Sequence, residues 1–197
     1  MRFDITLTGT RPLLMHNARL ADPLDPYKLA VAEITDKRKK TLDDHREVAL
    51  REWVGGLYHT AELGPYIPGE NVERLLCDSA KITRDGQNIK RGVVIYSDYC
   101  QLQYDGPRDI KRLSADANYR LTAMIRTPGG RVPRTRPMFA SGWQVSADGY
   151  LDVSVLSPED FTAIVHRAGR LIGLGDWRPR YGRFTAQLRF TPDEDER

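Results

Sequence analysis

The hydrophobic pattern of this chain changes period along its length, and both ends keep the strict alternation of a β-strand. Phe3, Ile5 and Leu7 alternate with Asp4, Thr6 and Thr8, and Phe184, Ala186, Leu188 and Phe190 alternate again near the C-terminus. Successive strand side chains point to opposite faces, so each end reads as a strand with one buried face that needs a sheet neighbour. Helical spacing lies between them. Leu50, Trp53, Val54 and Leu57 stand at i, i+3, i+4 and i+7, and Val72, Leu75, Leu76 and Ala80 repeat that spacing. Strand, helices, further strands, helix and strand in that order specify an α+β fold, and 197 residues suffice for a single domain with its own core.

The first strand, residues 2 to 8, ends at Gly9-Thr10-Arg11-Pro12. A proline-punctuated loop follows at Ala21-Asp22-Pro23-Leu24-Asp25-Pro26, where a continuous helix is forbidden. Residues 18 to 90 then read as a mostly helical insertion, broken at Gly55-Gly56 and restarted at Pro68-Gly69-Glu70-Asn71. Strands are expected at 92–104, 119–127 and 131–139, with a hairpin over 143–156. The turn signals are Asp105-Gly106-Pro107, Pro128-Gly129-Gly130 and Ala147-Asp148-Gly149. Ser157 as N-cap and Pro158 at the first helical position open a last helix, whose core face is Phe161, Ile164, Val165, Ala168 and Ile172. The whole chain, 1–197, reads as one domain with a ferredoxin-like, RNA-recognition-motif-like antiparallel sheet core and an insertion after the first strand.

Between that helix and the last strand, residues 169 to 184 run Gly-Arg-Leu-Ile-Gly-Leu-Gly-Asp-Trp-Arg-Pro-Arg-Tyr-Gly-Arg-Phe. Glycine lets backbone approach a ligand closely, arginine offers forked donors to phosphate, and an aromatic ring gives an unpaired base a stacking surface. Gly173, Gly175, Trp177, Arg178, Arg180, Tyr181 and Arg183 are therefore the candidate contacts of a nucleic-acid-binding loop. A helix C-cap with arginines answering the helix dipole is the competing account, and it covers Gly173 and about one arginine. Arg189 extends the basic series into the last strand.

A first strand running into Pro12-Leu13-Leu14, and a last helix leading through Gly173-Leu-Gly-Asp-Trp-Arg-Pro-Arg-Tyr-Gly-Arg-Phe184 into a last strand, resemble the RAMP superfamily of CRISPR-associated proteins. The resemblance extends to phage-encoded members. It implies an RNA-recognition-motif-like domain that holds single-stranded RNA or DNA, RNA more than DNA, at a glycine-rich loop. It also implies copies, or related subunits, assembled along the strand like a CRISPR effector backbone, without catalysis.

Other groups fit the same reading or compete with it. Arg134 and Arg136 alternate on one face of a strand, where they can follow successive phosphates or guard an exposed sheet edge. Lys37-Arg38-Lys39-Lys40 reads as a solvated helix end, and Lys81, Arg84, Lys90 and Arg91 surround a polar tip at Asp85-Gly86. His16, in the loop after the first strand, sits where the resemblance places the catalytic histidine of certain RAMP endoribonucleases, and Asp22 and Asp25 sit where a loop acid promotes target cleavage. Turn chemistry explains the two acids equally well. A protein-interaction module that blocks a host complex is the third class. Four histidines without ligand spacing and two cysteines, Cys77 and Cys100, without redox spacing give no metal, and no cofactor motif is present. The formal charge is +3, the last five residues carry a net −3, and the rest of the chain is therefore +6, which suits a polyanion partner. No apolar run reaches membrane-spanning length and the N-terminus has no leader pattern, so the expected setting is the cytoplasm.

Overall fold

The computed structural model describes residues 1–127 and 130–192. Pro128 and Gly129 of one turn signal, and the acidic tail at 193–197, lie outside the described residues. In chain order the elements are β1 (Arg2–Gly9), β2 (Leu13–Leu14), α1 (Pro26–Thr35), α2 (Leu42–Gly56), β3 (His59–Thr60), β4 (Gly64–Pro68), α3 (Gly69–Ala80), α4 (Gly86–Gly92), β5 (Val93–Ile95), β6 (Tyr99–Gln103), α5 (Ile110–Ala115), β7 (Arg120–Thr127), β8 (Gly130–Phe139), β9 (Gln144–Leu151), α6 (Pro158–Arg167) and β10 (Phe184–Thr191). The protein is α+β with mostly antiparallel sheet. The chain divides into two compact units: residues 1–13, 66–105 and 141 onward form the first, and residues 14–65 and 106–140 the second.

In the first unit β1 lies between β10 and β9, antiparallel to both, and the order continues through β6 to β4. Phe3, Ile5 and Leu7 are each 1% exposed, so the alternation at the N-terminus does define the buried face. Helices α3 and α6 cover that face. Ser157 caps α6 by accepting from the Asp160 N–H at 3.1 Å, and Pro158 needs no N–H in the first turn. Phe161, Ile164, Val165 and Ala168 are buried, with the Phe161 ring 4.8 Å from that of Phe3 and 6.3 Å from that of Phe190. Helix α3 buries Val72, Leu75, Leu76 and Ala80, and the buried Ser79 hydroxyl donates to the Ile164 carbonyl at 2.7 Å, tying it to α6.

Several boundaries differ from those expected. Where a hairpin was expected over 143–156 there is one strand, Gln144–Leu151, followed by a turn, because Gly149 is a packing glycine: a Cβ there would sit 2.2 Å from the Val94 carbonyl oxygen and 2.6 Å from the Phe3 ring. The stretch 92–104 is two strands, β5 and β6, which pair successive parts of β9. The stretch 18–90 is mostly helical, yet β3 and β4 interrupt it, and α3 and α4 belong to the first unit.

The second unit packs α1 and α2 together and sets α2 against β8 of the three-stranded sheet β2-β8-β7. Thr41 and Asp44 form a reciprocal capping box at the start of α2. The buried side of α2 is Glu52, Trp53 and the two terminal glycines, whereas Leu50 is 39% exposed. The Trp53 indole donates to the Tyr119 carbonyl at 2.7 Å.

Both cysteines are buried. Burial, with a lesser contribution from the Asp148 charge, pushes the Cys100 thiol up to about 11, and burial also raises Cys77. Only the thiolate attacks a disulfide reagent. At pH 8 native protein is expected to leave Ellman's reagent unreacted while denatured protein consumes two equivalents of it. Prompt stoichiometric labelling of the native chain would contradict this burial.

Candidate functional site

The loop between α6 and β10 begins where a single π-helical turn, Ala168–Ile172, ends at Gly173 with φ of 85°. The Gly173 N–H returns to the Ala168 carbonyl at 2.9 Å and the positive φ turns the chain out of the helix there, so the C-cap reading of this glycine holds. The loop then closes on itself. The Leu174 N–H donates to the Gly182 carbonyl at 2.8 Å, and the Gly182 N–H donates to the Pro12 carbonyl at 2.8 Å. A Cβ on Gly182 would lie 1.7 Å from the Leu174 carbonyl oxygen, and one on Gly173 would lie 2.6 Å from that of Tyr181. Here the close approach that glycine permits is made to the protein's own chain. The N–H groups of Gly173 and Leu174 are engaged within the neck, and of the two candidate glycines only Gly175, at φ of 82°, stands beyond it.

The neck also fixes a neighbour. The N–H groups of Thr10 and Arg11 both donate to the Arg183 carbonyl, at 2.8 and 3.2 Å, and the Trp143 indole donates to the Arg11 carbonyl at 2.8 Å. Arg11 is thereby carried to the loop from the turn after β1. Sequence reasoning passed over it, and only its pairing with Arg183 discloses it.

Beyond the neck, Trp177 adopts the left-handed conformation at φ of 51°, and its N–H donates to the Asp176 carboxylate at 2.9 Å. The Trp177 and Tyr181 rings are 6.3 Å apart and the Arg180 guanidinium lies 5.8 Å from the Tyr181 centroid. The arginines then separate into two groups. Arg178 points to Asp78 of α3, at 3.7 Å. Burial alone would raise the Asp78 carboxyl, but hydrogen bonds from Lys81 and Arg74 outweigh it and hold the group below its ordinary value. That carboxylate therefore stays ionised beside Arg178 and offsets part of its charge.

On the other side, Arg11, Arg180 and Arg183 line a depression of about 500 Å³ with Tyr181, Pro12 and Pro179. Arg183 Nε donates to the Pro179 carbonyl at 2.8 Å, which fixes its orientation. Among the described residues no carboxylate lies within ion-pair distance of these three guanidinium groups. Three cations held this close without an acid attract an anion, and their planar forks suit phosphate oxygens.

Arg134 and Arg136 do share one face of β8, but that face is turned toward α2. Arg134 Nη1 meets the Glu52 carboxylate at 2.9 Å, and Arg136 is 7% exposed. Both line a cavity of about 410 Å³ in the second unit, with His16, Lys28, Asp36 and Glu52. Asp22 accepts from the Leu24 N–H at 2.9 Å and Asp25 from the Tyr27 N–H at 2.9 Å, Asp25 being the N-cap of α1. The turn account of these acids describes what they do here. Among the described residues no three His, Cys, Asp or Glu side chains cluster so as to hold a metal ion, and no helix is long and apolar enough to cross a membrane.

No protein-family model matches this chain, and no curated protein matches it significantly.

Proposed function

We propose that the protein binds single-stranded nucleic acid without cleaving it, RNA in preference to DNA, and that Arg11, Arg180 and Arg183 receive its phosphates while Tyr181 stacks on a base. The observation that carries this reading is the convergence on one depression of an aromatic ring and three guanidinium groups that no carboxylate among the described residues pairs with. Gly173 and Gly182 serve the site indirectly, by closing the neck that presents it. Gly175, Trp177 and Arg178 form its far flank, where Asp78 weakens the field. Arg134 and Arg136 are assigned to their own cavity in the second unit.

The strand order β10-β1-β9-β6, antiparallel throughout, with α3 and α6 on the connections, supports a ferredoxin-like core. The resemblance of the loop and the first strand to the RAMP superfamily supports a guide-holding or strand-coating role in the cytoplasm, with copies side by side along the polymer.

The test is fluorescence anisotropy of a labelled single-stranded RNA across a salt series. Each phosphate neutralised on a single strand contributes about 0.7 to the slope of log K against log salt. Arg180→Ala with Arg183→Ala is expected to lower that slope by about 1.4 and to weaken binding by roughly a hundredfold, at about 1.5 kcal/mol per charge-assisted hydrogen bond. A folded double variant that keeps the parent's slope and affinity sinks the proposal.

A further inference from the structure

The second unit carries a cavity that the nucleic-acid reading of the loop does not use. Lys28, Val31, Ala32 and Thr35 stand at i, i+3, i+4 and i+7 of α1 and so form one helix face. That face lines a hollow of about 410 Å³, together with Glu52 of α2 and with Arg134 and Arg136 of β8. Val31 and Ala32 are short, and a larger side chain at either position would fill part of this space. His16 and Leu20, from the segment between β2 and α1, complete the wall with Asp36 at the end of α1. The deep residues are ionic: Glu52 is 6% and Arg136 7% exposed. Lys28, His16 and Asp36 are exposed and stand at the mouth.

Structural pairing accounts for part of this charge and leaves the rest. The two Glu52 oxygens are taken by Arg134 Nη1 and by the Thr135 N–H, each at 2.9 Å, and the other hydrogen bond of Arg134, to the Pro133 carbonyl at 3.5 Å, uses Nη1 again. Among the described residues the Nε and Nη2 groups of Arg134, which form the side-on fork of a guanidinium, have no acceptor, and the Lys28 ammonium makes no ion pair. A cavity that serves only to hold α2 against β8 needs neither. Two parallel N–H donors match the two oxygens of one carboxylate, and an ammonium is a compact charge that answers it from any direction.

Charge and lining narrow the ligand. The wall carries three cations, Lys28, Arg134 and Arg136, against two carboxylates, Asp36 and Glu52, which suits a ligand with a single negative charge. A phosphate monoester or a polyphosphate would bring more charge than that beside Asp36 and Glu52. Leu20, Val31 and Ala32 make part of the wall apolar, which suits a carbon body more than a bare ion. The volume lies in the range of sites for small organic molecules, about 300 to 1,000 Å³. We propose that this cavity binds a small organic acid as its carboxylate monoanion, with the carboxylate on the side fork of Arg134 and on Lys28 and the carbon body against Val31 and Ala32. The site belongs to the second unit by itself and stands or falls independently of the loop.

The test is a ligand-observed NMR titration of the whole chain with sodium benzoate and sodium hexanoate, with benzamide as an uncharged isostere and with phenyl phosphate, each up to about 10 mM. At least one carboxylate is expected to bind, and benzamide to bind at least tenfold more weakly than benzoate, since hydrogen bonds to a charged group are the strong ones. Lys28→Ala is expected to weaken carboxylate binding about tenfold, Lys28→Arg to restore it, and Val31→Trp to abolish it by filling the space. Lys28 is exposed and Val31 half-buried, so all three variants are expected to keep the parent's circular dichroism and its RNA anisotropy. A parent that binds neither carboxylate overturns the proposal. Carboxylate binding that is equal in the parent and the folded variants places the ligand elsewhere, the arginine loop included, and overturns it too. Phenyl phosphate bound more tightly than benzoate overturns the monoanion assignment, and single-stranded RNA that displaces the carboxylate gives the cavity to the polynucleotide instead.

Discussion

Replacing Gly182 by alanine is expected to destabilise the first unit by about 3 kcal/mol or more and to remove the candidate site with it. Two costs coincide at this position. The residue holds φ of 72°, which an L side chain adopts at roughly 1 to 2 kcal/mol. A Cβ would also lie 1.7 Å from the Leu174 carbonyl oxygen, and relieving that overlap breaks the hydrogen bonds from Leu174 N–H to Gly182 and from Gly182 N–H to Pro12. Gly142 separates the costs. Its φ is 96° and nothing lies within 4 Å of a Cβ built on it, so Gly142→Ala carries the conformational cost alone. Urea denaturation of the two variants should differ by about 2 kcal/mol. Equal losses would mean that the neck yields easily and does not fix the loop.

Periodic apolar runs carried most of the fold, because burial enforces them. Phe3, Ile5 and Leu7 on β1, the Val72 to Ala80 face of α3, and the capped α6 all stand where their spacing puts them. What misled was chemistry with two uses. Asp148-Gly149 has the composition of a hairpin turn, yet the glycine answers a contact with Val94 and Phe3 that lies 55 and 146 positions away in the chain. Short elements such as β3, β4 and α5 are too brief for a period to register, and α5 is specified by Asp109 capping the Lys111 and Arg112 N–H groups.

The site was legible as composition but not as geometry. Glycines, arginines and rings in one segment announced an unusual loop, and Arg180, Tyr181 and Arg183 do face one depression. Which arginines remain available depends on acids distant in sequence. Asp78 reaches Arg178 across a separation of 100 residues, and Glu52 reaches Arg134 across 82. No local pattern encodes such pairs. Arg11 was hidden for the same reason: a lone arginine in a turn acquires meaning only when Arg183 pairs with its backbone.

Glu52→Ala is expected to lower the stability of the second unit by about 3 kcal/mol, and the reason lies more in a backbone group than in the ion pair. Glu52 is 6% exposed, and its two oxygens take different partners: Arg134 Nη1 at 2.9 Å and the Thr135 N–H at 2.9 Å. The Arg134 side chain keeps 35% of its exposure, so water regains its charge when the carboxylate is lost, and that contact contributes about 1 kcal/mol. Thr135 is 2% exposed and its N–H has no such recourse; leaving a buried donor unpaired costs about 1 to 3 kcal/mol. Glu52→Gln removes the charge but keeps a carbonyl for Thr135. It is therefore expected to lose only about 1 kcal/mol, whereas Arg134→Ala, which leaves the buried Glu52 carboxylate without its cation, is expected to lose about 3 kcal/mol. Chemical denaturation of the three variants distinguishes the terms. A glutamine variant as unstable as the alanine variant would place the stabilisation in the Arg134 ion pair and overturn the assignment to the β8 backbone.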